Sequence, residues 1–276
     1  MNCSWMVDKI SCVICIGVVV MITSVSQVIA DDTGASHSPL RINLAYEDIH
    51  NPPYALGRGT SIDWNKPGQT LELLKIAGKQ IGVEFSFKRM PWKRGLYLLQ
   101  KNEIDGIFHG SYKPERENIG VYPKNNGHPD ENRAMLFQTY VLYKLKNSLV
   151  DFNGQNILNL NGVIGANNGY SIAADLRKKG YAIEESRSLS VNFEKLNVRK
   201  IETFAMLENM GDDFLQRNSD KYPKIIKVDT ALKSKAYYLL FSHKFVQQHK
   251  ALSEKIWNII VEIKESDEFK TVVSKY

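Results

Sequence analysis

Residues 41–108 alternate between two periodicities, and that alternation restricts the fold more than any other feature of the chain. Arg41-Ile42-Asn43-Leu44-Ala45-Tyr46 and Val83-Glu84-Phe85-Ser86-Phe87 carry apolar side chains at every second position and read as strands. Between them Leu71, Leu74, Ala77 and Ile81 recur at helical spacing over 69–81, and Gly82 ends the segment. A second helix from Trp92 to Lys101 leads into a short apolar strand, Ile104 to Phe108. Strands and helices in this order form βαβαβ, which requires crossover connections and a parallel sheet.

Residues 118–134 (NIGVYPKNNGHPDENRA) are rich in Asn, Gly, Pro and charge and mark a connecting loop. The pattern then restarts, with strands at Tyr140–Leu145 and Gly162–Gly165, a loop over Ala166–Gly169 and a helix from Ser171 to Lys179. A helix from Ile201 to Asn209, a strand at Ile225–Val228 and a strand at Tyr237–Phe241 follow. The closing helix runs from about His249 to Lys264, with Leu252, Ile256, Ile259, Ile260 and Ile263 on its apolar face. The expected class is α/β, built as two units.

Residues 1–30 read as a cleaved signal peptide, with Lys9 at the polar start, an apolar run from Ile10 to Ile22, and Val28-Ile29-Ala30 before Asp31-Asp32. Thr23, Ser24, Ser26 and Gln27 interrupt that run before it reaches the roughly 20 residues needed to span a bilayer. The product is expected in the periplasm. All three cysteines (Cys3, Cys12, Cys15) lie in this segment, so disulfides and thiolate chemistry are excluded from the remainder. The six histidines include no HExxH spacing, and neither a metal nor any other cofactor is expected. The net charge of +6 favours anionic ligands, but Lys and Arg are interspersed with Asp and Glu, which argues against nucleic acid as a partner.

Three motifs follow strand ends in the first unit: Asn51-Pro52-Pro53-Tyr54, Pro91-Trp92-Lys93-Arg94 and Pro114-Glu115-Arg116-Glu117. In open α/β sheets that edge is where ligands bind, because loops and helix N-termini converge there. With Tyr46 to Tyr54 (YEDIHNPPY), Pro67-Gly68, Glu103-Ile104-Asp105-Gly106, Val163 to Ser171 (VIGANNGYS) and Tyr238 to Phe245 (YLLFSHKF), the order of motifs resembles the bacterial extracellular solute-binding proteins of the polar-amino-acid type. The resemblance implies a type II periplasmic-binding, or Venus-flytrap, fold. Two α/β lobes, 31–139 plus 240–276 and 140–239, would be joined by crossover strands at 140–145 and 237–241, with the ligand between them.

The resemblance also assigns roles. Arg116 matches the arginine that takes the ligand carboxylate in a two-pronged contact, which suits a fixed fork of donors that stays charged; read alone, Arg116 is equally a surface ion-pair partner of Glu115 or Glu117. His109 stands where such proteins carry a small hydroxyl residue, a departure from a standard α-amino-acid pocket. It either caps the strand end or, facing the cleft, changes charge near neutral pH. Tyr54 and Trp92 are candidate apolar walls, Trp92 also being placed for helix-start packing. Glu47 and Asp48 are candidates to meet an ammonium group, or are solvated. Gly169-Tyr170-Ser171 opens a helix whose N–H groups suit an anion, with Ser171 as an N-cap. Asp213 matches a structural acid, and no acid falls near Gln216 to Asn218 to hold an amine. The implied function is capture of a small polar or anionic solute by a monomer, for an ABC permease or a periplasmic sensor domain. A second class, an enzyme such as a dehydratase of a cyclic carboxylic acid, would have to use His109, Glu47 or Asp48.

Overall fold

The structure, a computed structural model, describes residues 38–276; the signal segment and the three cysteines lie outside the described residues. The first half opens with β1 (Leu40–Glu47), α1 (Gln69–Ile81), β2 (Val83–Met90), α2 (Trp92–Gln100) and β3 (Gly106–Ser111). β1 pairs in parallel with both β2 and β3, so from Leu44 to Tyr46 it is covered on both faces and fully buried, while edge strand β2 is mostly half-exposed. Gly82 ends α1 in the left-handed region (φ 76°), where it returns its N–H to the Gly78 carbonyl.

A hairpin, β4 (Lys124–Asn125) and β5 (His128–Pro129), lies within the long loop and precedes β6 (Leu136–Leu145). The second half holds the small pair β7 (Asp151–Phe152) and β8 (Ile157–Leu158), then β9 (Ile164–Asn167), α3 (Ser171–Lys178), β10 (Ile183–Ser186) and α4 (Leu189–Asn197). It continues through β11 (Thr203–Leu207), α5 (Glu208–Arg217) and β12 (Ile225–Lys227) to β13 (Lys233–Phe241). Helices α6 (His243–Gln248), α7 (Lys250–Glu265) and α8 (Asp267–Val273) end the chain, and α7 and α8 pack back on α1.

The sheet runs β10-β9-β11-β6-β13-β3-β1-β2, with β12 against β6. Its two outer stretches are parallel, and the antiparallel pair β6 and β13 joins them. These are the segments expected to cross between the units, each longer than its sequence signal. The fold is an α/β Venus-flytrap.

Three expectations need correction. Residues 201–209 do not form a helix: Thr203–Leu207 is strand β11, buried at all five positions between β9 and β6, and the helix begins at Glu208. The continuous apolar run Phe204–Leu207 has no periodicity to separate a central strand from a buried helix. The third strand starts at Gly106 instead of Ile104, because the Asp105 carboxylate takes the Asn43 backbone N–H (2.7 Å) just before the ladder begins. The 118–134 loop contains its own hairpin and a 3-10 turn at Glu131–Arg133.

Trp257 anchors the closing helix to the central sheet. It is 2% exposed, packs against Phe241, and donates its indole N–H to the Leu239 carbonyl of β13 at 2.8 Å. Trp257→Ala is expected to lower stability by about 3–5 kcal/mol in urea unfolding. A loss below about 1 kcal/mol, within reach of an ordinary surface change, would contradict this packing.

Candidate functional site

The C-terminal ends of β1, β3, β9 and β11 point to one region, and the start of β6 and the middle of β13 form its floor. There a cavity of about 30 Å³, space for about two water-sized groups, lies between the two halves of the sheet. Six of the residues singled out in the sequence line it: Glu47, Trp92, His109, Arg116, Tyr170 and Ser171.

Arg116 is held in a 3-10 turn, Pro114–Asn118, directly after β3. It is 1% exposed and forms no ion pair with its neighbours: Glu115 bonds Lys178, and Glu117 accepts from Tyr112 and Lys124. That rules out the surface ion-pair reading. Nη1 donates to the Ser111 carbonyl (2.6 Å) and Ser111 Oγ (3.1 Å), and Nη2 crosses to the Gly169 carbonyl of the other half (2.7 Å). The guanidinium lies 5.3 Å from the centre of the Trp92 ring, so Trp92 both packs at the head of α2 and walls the site.

Further bonds cross between the halves. Tyr170 donates its hydroxyl to Glu47 Oε2 (2.6 Å), Ser111 Oγ donates to Ser171 Oγ (2.9 Å), and Asn209 Nδ2 donates to Asn51 Oδ1 (2.7 Å). Lys235 of β13 reaches Ser171 Oγ (2.8 Å) and Asp175 (2.5 Å). The cleft is closed upon its own side chains.

Burial pushes the Glu47 carboxyl up to about 7; the Tyr170 hydrogen bond and the Arg116 charge oppose that rise and Asp48 adds to it. Burial also lowers Lys235, partly offset by Asp175.

His109 departs from expectation. Burial pushes it down to about 3, so it is a neutral imidazole near neutral pH, bonded through Nε2 to Thr70 Oγ1 (2.8 Å). Its backbone sits in the left-handed region (φ 64°), an uncommon place for a residue other than glycine. The group that titrates near neutrality in this cleft is Glu47, not His109.

Other expectations shift as well. Gly169 has φ 75°, but its N–H already donates to Glu185 Oε2 (2.6 Å), so it offers the site a carbonyl where an anion-binding N–H was expected. Ser171 does not cap α3; Tyr170 holds the N-cap position, and the Ser171 hydroxyl faces Ser111 and Lys235. Tyr54 lines neither the cavity nor the groove beside it and lies edge-on to His109, ring centres 6.3 Å apart. Asp48 lines that neighbouring groove, a space of about 580 Å³ shared with Lys93, Asn168 and Arg187. Asp213 is engaged by Arg217 and stands 3.8 Å from His50, away from the cavity.

Sequence reasoning missed Ser111, Gln138, Tyr140 and Tyr237. The last three lie on the crossover strands, where Leu136, Gln138 and Tyr140 share one face by their period of two. A polar residue on the buried face of an apolar strand was the available signal. Among the described residues no group of three His, Cys, Asp or Glu side chains is placed to hold a metal ion.

No family model matches the sequence, and no curated protein matches it. Solved structures do match. A histidine kinase sensor domain with similarity to periplasmic binding proteins aligns at TM-score 0.69 and 12% identity, covering 87% of this chain and 96% of that one. The GluR0 ligand-binding core from Nostoc punctiforme, in complex with L-glutamate, aligns at 0.64 and 14%, covering 85% and 98%. The arginine-, lysine-, histidine-binding protein ArtJ from Geobacillus stearothermophilus aligns at 0.65 and 15%, covering 86% and 94%. At such identities the likeness is one of fold, and it places this chain among the two-lobed structures built like periplasmic binding proteins.

Proposed function

We propose that the chain is an exported solute-binding protein that closes two lobes, 31–139 plus 240–276 and 140–239, around a small polar or anionic ligand and catalyses no reaction. The ligand class is an amino acid or a related carboxylate. The closed form would be read in the periplasm by an ABC importer or by a membrane sensor; the fold neighbours include both transporter binding proteins and a kinase sensor domain. Export rests on the signal-like segment 1–30.

The observation that carries this reading is Arg116. Each donor of a buried guanidinium that goes unmet is costly. Here one of them is met by a carbonyl of the opposite half. A ligand carboxylate entering an open cleft would take that donor and then replace the Gly169 carbonyl as the bridge between lobes. Closure would thus be coupled to occupancy through differential contacts in the two states.

One observation favours an enzyme instead: a carboxyl raised to about 7 suits general acid–base work at neutral pH. The phenol and imidazole neighbours of Glu47 are not poised for such a cycle: burial pushes Tyr170 well above its ordinary range, Tyr140 up to about 12 and His109 down to about 3. Turnover of a cyclic carboxylic acid by the purified protein would favour the enzyme.

A thermal-shift screen against amino acids and small carboxylic acids tests the binding reading. A ligand at 100 times its Kd stabilises by about 2.7 kcal/mol. Arg116→Met keeps the apolar stem beneath Trp92 and removes the fork; it is expected to cost about 2–5 kcal/mol of affinity in calorimetric titration while the circular dichroism spectrum is retained. Wild-type affinity in that variant would remove Arg116 from the site.

Glu47 also makes stability depend on pH. In the unfolded chain it ionises near 4.5, and in the fold near 7. Between these values the unfolded state has lost a proton that the folded state keeps. Stability therefore falls as pH rises through this window and levels off above it, by about 1–3 kcal/mol given the partial exposure of the side chain. Glu47→Gln is expected to flatten that decline in melting temperature; an unchanged slope would show that Glu47 is not its source.

A further inference from the structure

The crossover strands bring one amide into the cavity whose hydrogen-bonding capacity the chain leaves unused. Gln138 of β6 is 4% exposed and lines the cavity, yet neither Oε1 nor Nε2 has a hydrogen-bond partner among the described residues. The polar side chains around it are committed. Tyr237 donates to Tyr140 (2.9 Å), Tyr170 to Glu47, Ser111 to Ser171, and His109 is bonded to Thr70. Lys235, the direct ladder partner of Gln138 on β13, is held by Ser171 and Asp175. Arg116 Nε is likewise buried without a partner.

A buried amide with both ends unmet destabilises the fold that carries it, and an apolar side chain of the same length would remove that cost. Resting on the binding reading above, we propose that Gln138 is a specificity-determining ligand contact that selects a carboxylate bearing an adjacent O–H or N–H. Its Nε2 offers a donor to an acceptor oxygen, and its Oε1 requires a donor in return. The amide can turn end for end without changing this demand for one acceptor and one donor. A bare carboxylate meets only half of it, because its oxygens would face Oε1. An α-hydroxy or α-amino acid head meets both; the closed cavity of about 30 Å³ holds less than such a head, so the head enters with the cleft open, and the rest of a longer ligand lies in the adjoining groove.

The test compares wild type with Gln138→Met and Arg116→Met, using L-lactate, L-alanine and propionate as probes matched in carbon skeleton. Ligand-free Gln138→Met is expected to melt at or above the wild-type temperature; a fall of about 2–4 °C or more would mark Gln138 as a structural residue and overturn the proposal. In calorimetric titration, wild type is expected to prefer L-lactate or L-alanine to propionate by on the order of tenfold or more, and Gln138→Met to lose that preference without losing propionate. A preference unchanged in Gln138→Met, or a wild type that takes up none of the three probes, overturns the assignment. Arg116→Met separates the two levels of the claim. Loss of all probes in Arg116→Met together with an unchanged preference in Gln138→Met would defeat the Gln138 role alone, whereas full binding by Arg116→Met would defeat the carboxylate site itself.

Discussion

The arrangement of the cleft depends on where the guanidinium of Arg116 can place its charge. The end of β3 and the 3-10 turn after it carry the side chain inward, where Trp92 covers its face and Ser111 takes one arm. The second arm has no acceptor on its own side of the sheet and is satisfied by Gly169 across the cleft. Because a charge of this kind is costly to bury unmet, the state in which the halves are apart requires water or a ligand at that position. Tyr122 reinforces the arrangement by donating to the same Ser111 carbonyl, so three elements meet at one backbone oxygen.

The crossover strands have two roles in this account. As the central antiparallel pair, β6 and β13 tie the two parallel stretches into one sheet, and α7 fixes β13 from behind through Trp257. Their inward face also supplies the floor of the cavity through Gln138, Tyr140 and Tyr237. A change in the twist of these strands would therefore move ligand contacts and lobe orientation together, coupling occupancy to shape without a relay through distant residues.

Much of the fold was legible because its elements signal locally. Helix α1 was bounded to the residue by its apolar stripe and by Gly82, and strands β1 and β2 were located by their alternation but run one to three residues further. What escaped lay where burial is complete. Phe204–Leu207 is apolar throughout and carries no period, and the extended starts of β6 and β13 contain polar residues such as Gln138 and Lys235 that mask the strand signal. The candidate site was legible as a neighbourhood, since Arg116, Glu47, Trp92, His109, Tyr170 and Ser171 converge. The chemistry of its members was not. Whether His109 or Glu47 titrates near neutrality depends on desolvation in the folded state, and whether Gly169 offers an N–H or a carbonyl depends on Glu185, sixteen residues further along the chain.

The central claim, that this cleft opens and closes with a ligand, is tested most directly by a distance across its mouth. Residues 38–276 contain no cysteine, so spin labels at Arg94→Cys and Ser190→Cys, both exposed and next to the groove-lining Lys93 and Ser188, report on that distance alone. With a compound that raises the melting temperature, pulsed dipolar spectroscopy is expected to give one short, narrow distribution; without it, a second and longer population. Identical distributions in the two conditions would contradict closure on binding.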